Sequence, residues 1–182
     1  MQAIMKFSMC GDRTEQLGDK SVAFNIYNQT LQVTKFLNKL NNSSKKGVRD
    51  VDIRLVVLSM RAQSLLNLRL YKMKQHELKN YQRTIQDALA KSDTDCCLSI
   101  PKTVMQNQHE FYSYLSQCHE LWEQADVYVS KSQREDFFIE LDQVCGPLTL
   151  NSTLKELVNY TRHGLASIGE SDCGRGGGAG EG

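Results

Sequence analysis

Proline is nearly missing from these 182 residues: Pro101 and Pro147 are the only two. Long stretches therefore carry no residue that breaks a helix outright. Charge of one sign is missing too. The chain has 22 basic and 21 acidic residues, a net of +1, so nothing global selects a polyanion or a membrane surface, and an electrostatic partner must read a local patch. The longest purely aliphatic run is "LVVL" at 55–58, far short of the roughly 20 residues of a membrane span. Six cysteines are present, but no C-x-x-C or other zinc spacing occurs among them. Four sit in apolar-patterned segments, where a reduced thiol acts as a small hydrophobe. The opening "MQAIMKFSMC" lacks the basic start and long apolar run of a signal peptide.

Motifs of catalysis are also lacking. No phosphate loop, dinucleotide fingerprint, H-E-x-x-H or G-x-S-x-G occurs. His109 and Cys118 lie about 13 Å apart along a helix at 1.5 Å per residue, too far for a catalytic pair. His109, Glu110, His119 and Glu120 are the nearest approach to a metal set, but they read as solvated helix residues. The expectation is a protein that is not an enzyme and that takes no metal and no cofactor.

What is present is helical periodicity, with no sustained alternation. An apolar segment, Ala3 to Cys10, precedes a break at Gly11. Ser21 is a candidate cap for a helix from Val22 to Leu40, and "NNSSKKG" at 41–47 is a polar loop. From Asp50 to Leu70 the chain is apolar over much of a helical circumference, which predicts a central position. A turn near Tyr71–Met73 and a more polar helix to Lys91 complete a predicted helical hairpin, with Leu78, Tyr81, Ile85 and Leu89 inward. Ser99 and Pro101 open a long helix to Ser130; a shorter one follows in "SQREDFFIELDQVCGP".

The last helix is the most patterned. In "TLKE", Thr153 and Glu156 form a capping box. Leu154, Leu157, Val158, Thr161, Leu165 and Ile168 fall within about 100° of arc. Tyr160 lies outside it, beside Leu157, and is the place to look for a partner. Gly169 ends the helix, and residues 169–182, half of them glycine, have no core to join and read as a disordered tail.

Two surfaces stand out. Lys72, His76, Lys79 and Arg83 share a helix face, extended by Arg69, and Lys45, Lys46 and Arg49 precede it in a loop. This is either a face for phosphates or an ordinary solvated face with Glu77 and Asp87 nearby. The aromatics Phe111, Tyr112, Tyr114, Trp122 and Tyr128 read as core unless exposed. Phe137 and Phe138 are adjacent, so they point about 100° apart and need cover on two sides. A second subunit would supply one side, which makes Trp122, Phe137, Phe138, Leu141, Val158 and Tyr160 the candidate dimer interface. Arg69, Lys72, Lys79 and Arg83 are the candidate nucleic-acid contacts.

"CG" at 10–11, "SIP" at 99–101, "WEQA" at 122–125, "REDFFIELD" at 134–142 and "GPLTLNSTLKELVNYTRHG" at 146–164 occur in order. Together they resemble the C-terminal homology domain of the AFF family, the scaffold proteins of the super elongation complex, and its Lilliputian-type insect branch most of all. The resemblance is strong over 99–168 and looser over 2–91. It implies an all-α domain over 1–168, a helical-hairpin (TPR-like) array completed by the C-terminal helices. It implies homo- or heterodimerisation with itself or another AFF-family scaffold, in a nuclear protein supporting RNA polymerase II elongation. Weak nucleic-acid binding is the alternative. It further implies a helix ahead of Gln2, so that this chain lacks the domain's first helix, and kinase- and elongation-factor-binding segments far upstream. "KSDTDCC" stands where the family often has a long Ser/Pro-rich insertion.

Overall fold

A computed structural model describes residues 2–43, 52–90, 101–132 and 134–173, with side chains to 36 in the second helix and to 170 in the last. Every regular element among the described residues is a helix: α1 (Gln2–Gln16), α2 (Lys20–Ser43), α3 (Ile53–Ala90), α4 (Lys102–Lys131), α5 (Glu135–Cys145) and α6 (Leu154–Cys173). The all-α expectation holds. Residues 44–51, 91–100 and 174–182, which include Lys45, Lys46, Arg49, Ser99, Cys96, Cys97 and most of the predicted tail, lie outside the described residues.

The helices pair as hairpins, but not where the sequence pattern put one. α1 packs on α2, and α3 makes its most extensive pairing with α4. The turn predicted at Tyr71–Met73 does not exist; α3 runs unbroken for 38 residues, about 57 Å. No glycine or proline occurs between Ile53 and Ala90, so no residue there forces a stop. What changes at Leu70 is the surroundings. Before it, α3 is buried nearly all round, Ala62 to Asn67 without interruption; after it only Leu78 is fully buried. Helices α2, α4 and α6 pack on α3, and α4 makes much the largest contact. The switch from an all-round to a one-sided apolar pattern marks the end of the core and not the end of a helix.

Buried polar groups along α3 find partners on its own backbone and on that of α4. Asn67 Nδ2 donates to the Gln63 carbonyl at 2.9 Å, and Ser64 Oγ reaches across to the Cys118 carbonyl at 2.7 Å. Burial pushes the Cys118 thiol above its ordinary value. Cys10, Cys118 and Cys145 are all free thiols.

Three boundaries differ from expectation. Gly11 does not end the first helix: α1 passes through it to Gln16. A Cβ at Gly11 would sit against the Tyr27 ring, 2.8 Å from Cδ1, so the glycine permits close approach of α1 and α2 instead of a break. The cap of α2 is Asp19, whose Oδ1 accepts the Val22 amide at 3.1 Å, and not Ser21. At the far end α6 continues past Gly169 to Cys173, because that glycine keeps a helical backbone with open space around it.

The capping box is present as predicted. The Thr153 amide donates to Glu156 Oε2 at 2.6 Å, and the Glu156 amide donates to Thr153 Oγ1 at 3.2 Å. The Thr153 amide, and the Thr153 hydroxyl that donates to the same Oε2 at 3.0 Å, hold the Glu156 carboxyl below its ordinary range. The predicted stripe of α6 faces inward on α1, α3 and α5, with Leu165 half-buried at its edge. Gly164 lets α6 come close: a Cβ there would meet Leu58 Cδ1 at 2.9 Å and Leu141 Cδ2 at 3.2 Å.

Candidate functional site

The aromatic candidates gather around one guanidinium. Arg61 of α3 lies 5.4 Å from the Trp122 ring centroid and 5.5 Å from that of Phe138. Its Nη1 donates to the Tyr160 hydroxyl at 3.4 Å, and its Nη2 reaches Asp126 at 3.4 Å. The Tyr160 hydroxyl in turn donates to Asp142 Oδ1 at 2.6 Å. Burial, then the bond to Asp142, holds the Tyr160 phenol well above its ordinary value, so it stays a donor across the biological pH range.

Four of the six residues proposed as an interface turn inward. Phe138, Leu141, Val158 and Tyr160 are buried in the chain's own core, and Tyr160 is only 1% exposed. Tyr160 lies outside the aliphatic arc, yet α5 covers it, so its position off the stripe reflects a second inward contact of α6. Trp122 and Phe137 are half-buried. Phe137 meets Phe138 edge to face at 5.0 Å and is capped by the Arg54 guanidinium at 5.3 Å. The second side that Phe137 needed is thus covered from within, by a cation over its ring.

Other apolar side chains are exposed in their place. Ile139 and Val144 of α5 are 53% and 69% exposed, and Val127 and Tyr128 of α4 are open to solvent as well. Ile139 lies well away from Phe138 and Leu141 around α5, whereas Val144 is only about 60° from Leu141, so spacing alone does not show that it is exposed. A further set, Phe7, Met9 and Leu17, is exposed at α1.

Of the basic candidates, Arg69, Lys72 and Lys79 line one groove, together with the Glu15 carboxylate, and Arg83 does not. Arg69 turns toward α1 and pairs with Glu15 at 2.8 Å, while Glu15 also accepts from the Tyr27 hydroxyl. Lys72, His76, Lys79 and Arg83 remain exposed along α3. Lys72, His76 and Lys79 border a groove of about 320 Å³ with Lys20 of α2, a cation the single-helix pattern missed because it comes from another element. Glu77, the carboxylate expected to neutralise this face, pairs with Lys74 at 2.7 Å instead.

Of the possible stacking aromatics, Phe111 and Tyr114 are core, with Phe111 stacked on Tyr81 at 6.2 Å. Tyr112 is partly exposed and accepts from Gln82 Nε2 at 2.6 Å. Of the candidate metal set, Glu110 accepts from the Tyr114 hydroxyl and Glu120 from Ser116. Among the described residues no group of three or more His, Cys, Asp or Glu side chains is placed to hold a metal ion, and no helix is long and apolar enough to cross a membrane.

Against known families, the chain matches the family described as "AFF4, C-terminal homology domain", over residues 1–119 and 97–171. Relatives include "AF4/FMR2 family member lilli" of Drosophila pseudoobscura pseudoobscura, 28% identical over 200 residues, and the protein of the same name from Drosophila melanogaster, 28% identical over 202. Each alignment covers 92% of this chain but only 11% and 12% of the respective relative, so the chain spans about a ninth of the proteins it matches.

Proposed function

The chain belongs to the AFF4 C-terminal homology domain family, and on that footing we propose that it is a homo- or heterodimerisation module of a nuclear scaffold protein that supports RNA polymerase II transcription elongation. Its partner is a second copy or another AFF-family scaffold, and it carries no catalysis of its own. The family match over nearly the whole chain carries this reading. Family matches at 1–119 and 97–171 span both the hairpin half and the C-terminal half, so the unit proposed to dimerise is the whole helical body.

The dimer face follows from exposure. Of the original candidates only Trp122 and Phe137 retain surface, at the edge of α4 and α5. We place the contact on the exposed apolar side chains of the same two helices, Ile139 and Val144 of α5 and Tyr128 of α4. Exposed apolar side chains are where association gains most from burial. Light scattering at micromolar concentration tests this. The expected result is a dimer that becomes a monomer in the double variant Ile139→Glu, Val144→Glu, with helicity unchanged by circular dichroism. A wild-type chain that stays monomeric at every concentration, or a double variant that stays dimeric, would sink this placement.

A second reading rests on Lys20 joining Lys72, His76 and Lys79 around one groove. A phosphate backbone laid there would meet cations from two helices. Reversing Lys72 and Lys79 to Glu should weaken binding of a DNA or RNA oligonucleotide and flatten its salt dependence by about one unit of slope per lost contact.

A further inference from the structure

A different groove, between α1 and α6, belongs to neither reading. Its α1 wall carries Met9, Arg13 and Gln16, and its α6 wall carries Lys155, Val158 and Arg162. Met9 and Gln16 are seven residues apart, as are Lys155 and Arg162, so each wall runs about 10 Å, or two helical turns. The volume between them is about 620 Å³. The floor is apolar: Leu154 and Val158 lie beneath it, and Met9 stands 52% exposed at its edge. Methionine on an open surface is an adaptable contact for aliphatic side chains.

The rim is cationic. Arg13, Lys155 and Arg162 are all exposed, and none forms an ion pair among the described residues. Asp12 is the single carboxylate lining the groove, and Gln16 Nε2 already donates to it at 2.8 Å. Three free cations stand on walls two turns long above an apolar floor of about one turn, Leu154 to Val158, a shape that suits a helix better than a small molecule.

We propose that this groove docks an acidic amphipathic helix of another protein, about two turns long. Aliphatic side chains at i, i+3 and i+7 rest on Met9, Leu154 and Val158, and flanking carboxylates face Arg13, Lys155 and Arg162. Nucleic acid fits less well. No aromatic side chain lines the groove to stack a base, and an apolar floor offers nothing to a phosphate chain. Charge complementarity sets both the partner's sign and the salt sensitivity of the contact.

The test uses the whole chain and a fluorescein-labelled peptide of Glu, Ala and Leu with leucines at i, i+3 and i+7. Its control has the same composition with leucines at every second position. Fluorescence anisotropy should show saturable binding of the first peptide only. The double variant Arg13→Glu, Arg162→Glu should weaken it by about tenfold or more, since both reversals repel the carboxylates. Met9→Ser should weaken it several-fold at unchanged urea stability, which separates the apolar floor from simple charge attraction. Four outcomes overturn the proposal. The peptide does not bind at low salt; both peptides bind alike; neither variant alters binding; or a labelled single-stranded DNA loses affinity in the double variant while the peptide does not. If light scattering shows the double variant converting a dimer to a monomer, the groove is a self-association surface and the proposal also fails.

Discussion

Two glycines occupy similar positions in the packing and should respond differently to the same substitution. A methyl group adds about 1 kcal/mol of helix propensity in either case. At Gly11 it runs into the Tyr27 ring, which cannot turn away freely because its hydroxyl is held by Glu15 at 3.2 Å. Overpacking of this kind costs about 1–3 kcal/mol, so after the gain in propensity Gly11→Ala should lower urea stability by up to about 2 kcal/mol. At Gly164 the obstacles are the methyl ends of Leu58 and Leu141, which can rotate. Gly164→Ala should stay within about 1 kcal/mol of wild type. Tyr160→Phe removes a hydroxyl bonded on both sides and leaves Asp142 without its partner; a loss of about 1–2 kcal/mol is expected in the same measurement. Equal effects at the two glycines would contradict the packing described.

At the scale of the element, the capping box and the continuity of α3 make opposite cases for reading a sequence. The box was legible because all its parts lie within four residues, and Thr153→Ala should cost about 1 kcal/mol. Its pH dependence follows in sign. The folded state holds Glu156 ionised below the ordinary carboxylate value of 4.5, so its contribution is complete above that value. It is lost as pH falls through the lowered folded value. The difference in stability between wild type and Glu156→Gln should therefore shrink on acidification below that range, as read by urea titrations at stepped pH. Helix α3 was misread because the pattern of a helix reports its neighbours as much as its own backbone. Lys72→Pro decides between one helix and two. Within a continuous helix a proline costs about 3 kcal/mol or more, whereas at the predicted Tyr71–Met73 turn it would be tolerated.

For the whole molecule, the all-helical class and the burial of the Leu154–Ile168 stripe could be read from spacing alone, because each is a property of one helix. Assigning Phe138, Val158 and Tyr160 to a partner could not. An apolar arc has the same spacing whether it meets α3 or a second chain. Cover for Tyr160 comes from Asp142 and Arg61, 18 and 99 residues away. Lys20 was invisible beside Lys72 for the same reason. The consequence is testable by comparing two classes of charged substitution. Phe138→Asp or Val158→Asp should abolish cooperative unfolding, since each removes a buried apolar side chain and puts a carboxylate in its place, a change on the order of several kcal/mol. Ile139→Glu should leave the unfolding midpoint nearly unchanged when measured on the monomer.

Arg61 and Trp122 have one more use. The chain contains a single tryptophan, and a guanidinium from α3 sits over its indole while the same guanidinium touches Phe138 of α5 and Tyr160 of α6. The indole's emission is therefore a built-in gauge of whether α5 and α6 are seated on α3. If the C-terminal helices lift before the long hairpin melts, the fluorescence transition will precede the loss of far-ultraviolet ellipticity. If the two coincide, the body unfolds as one unit.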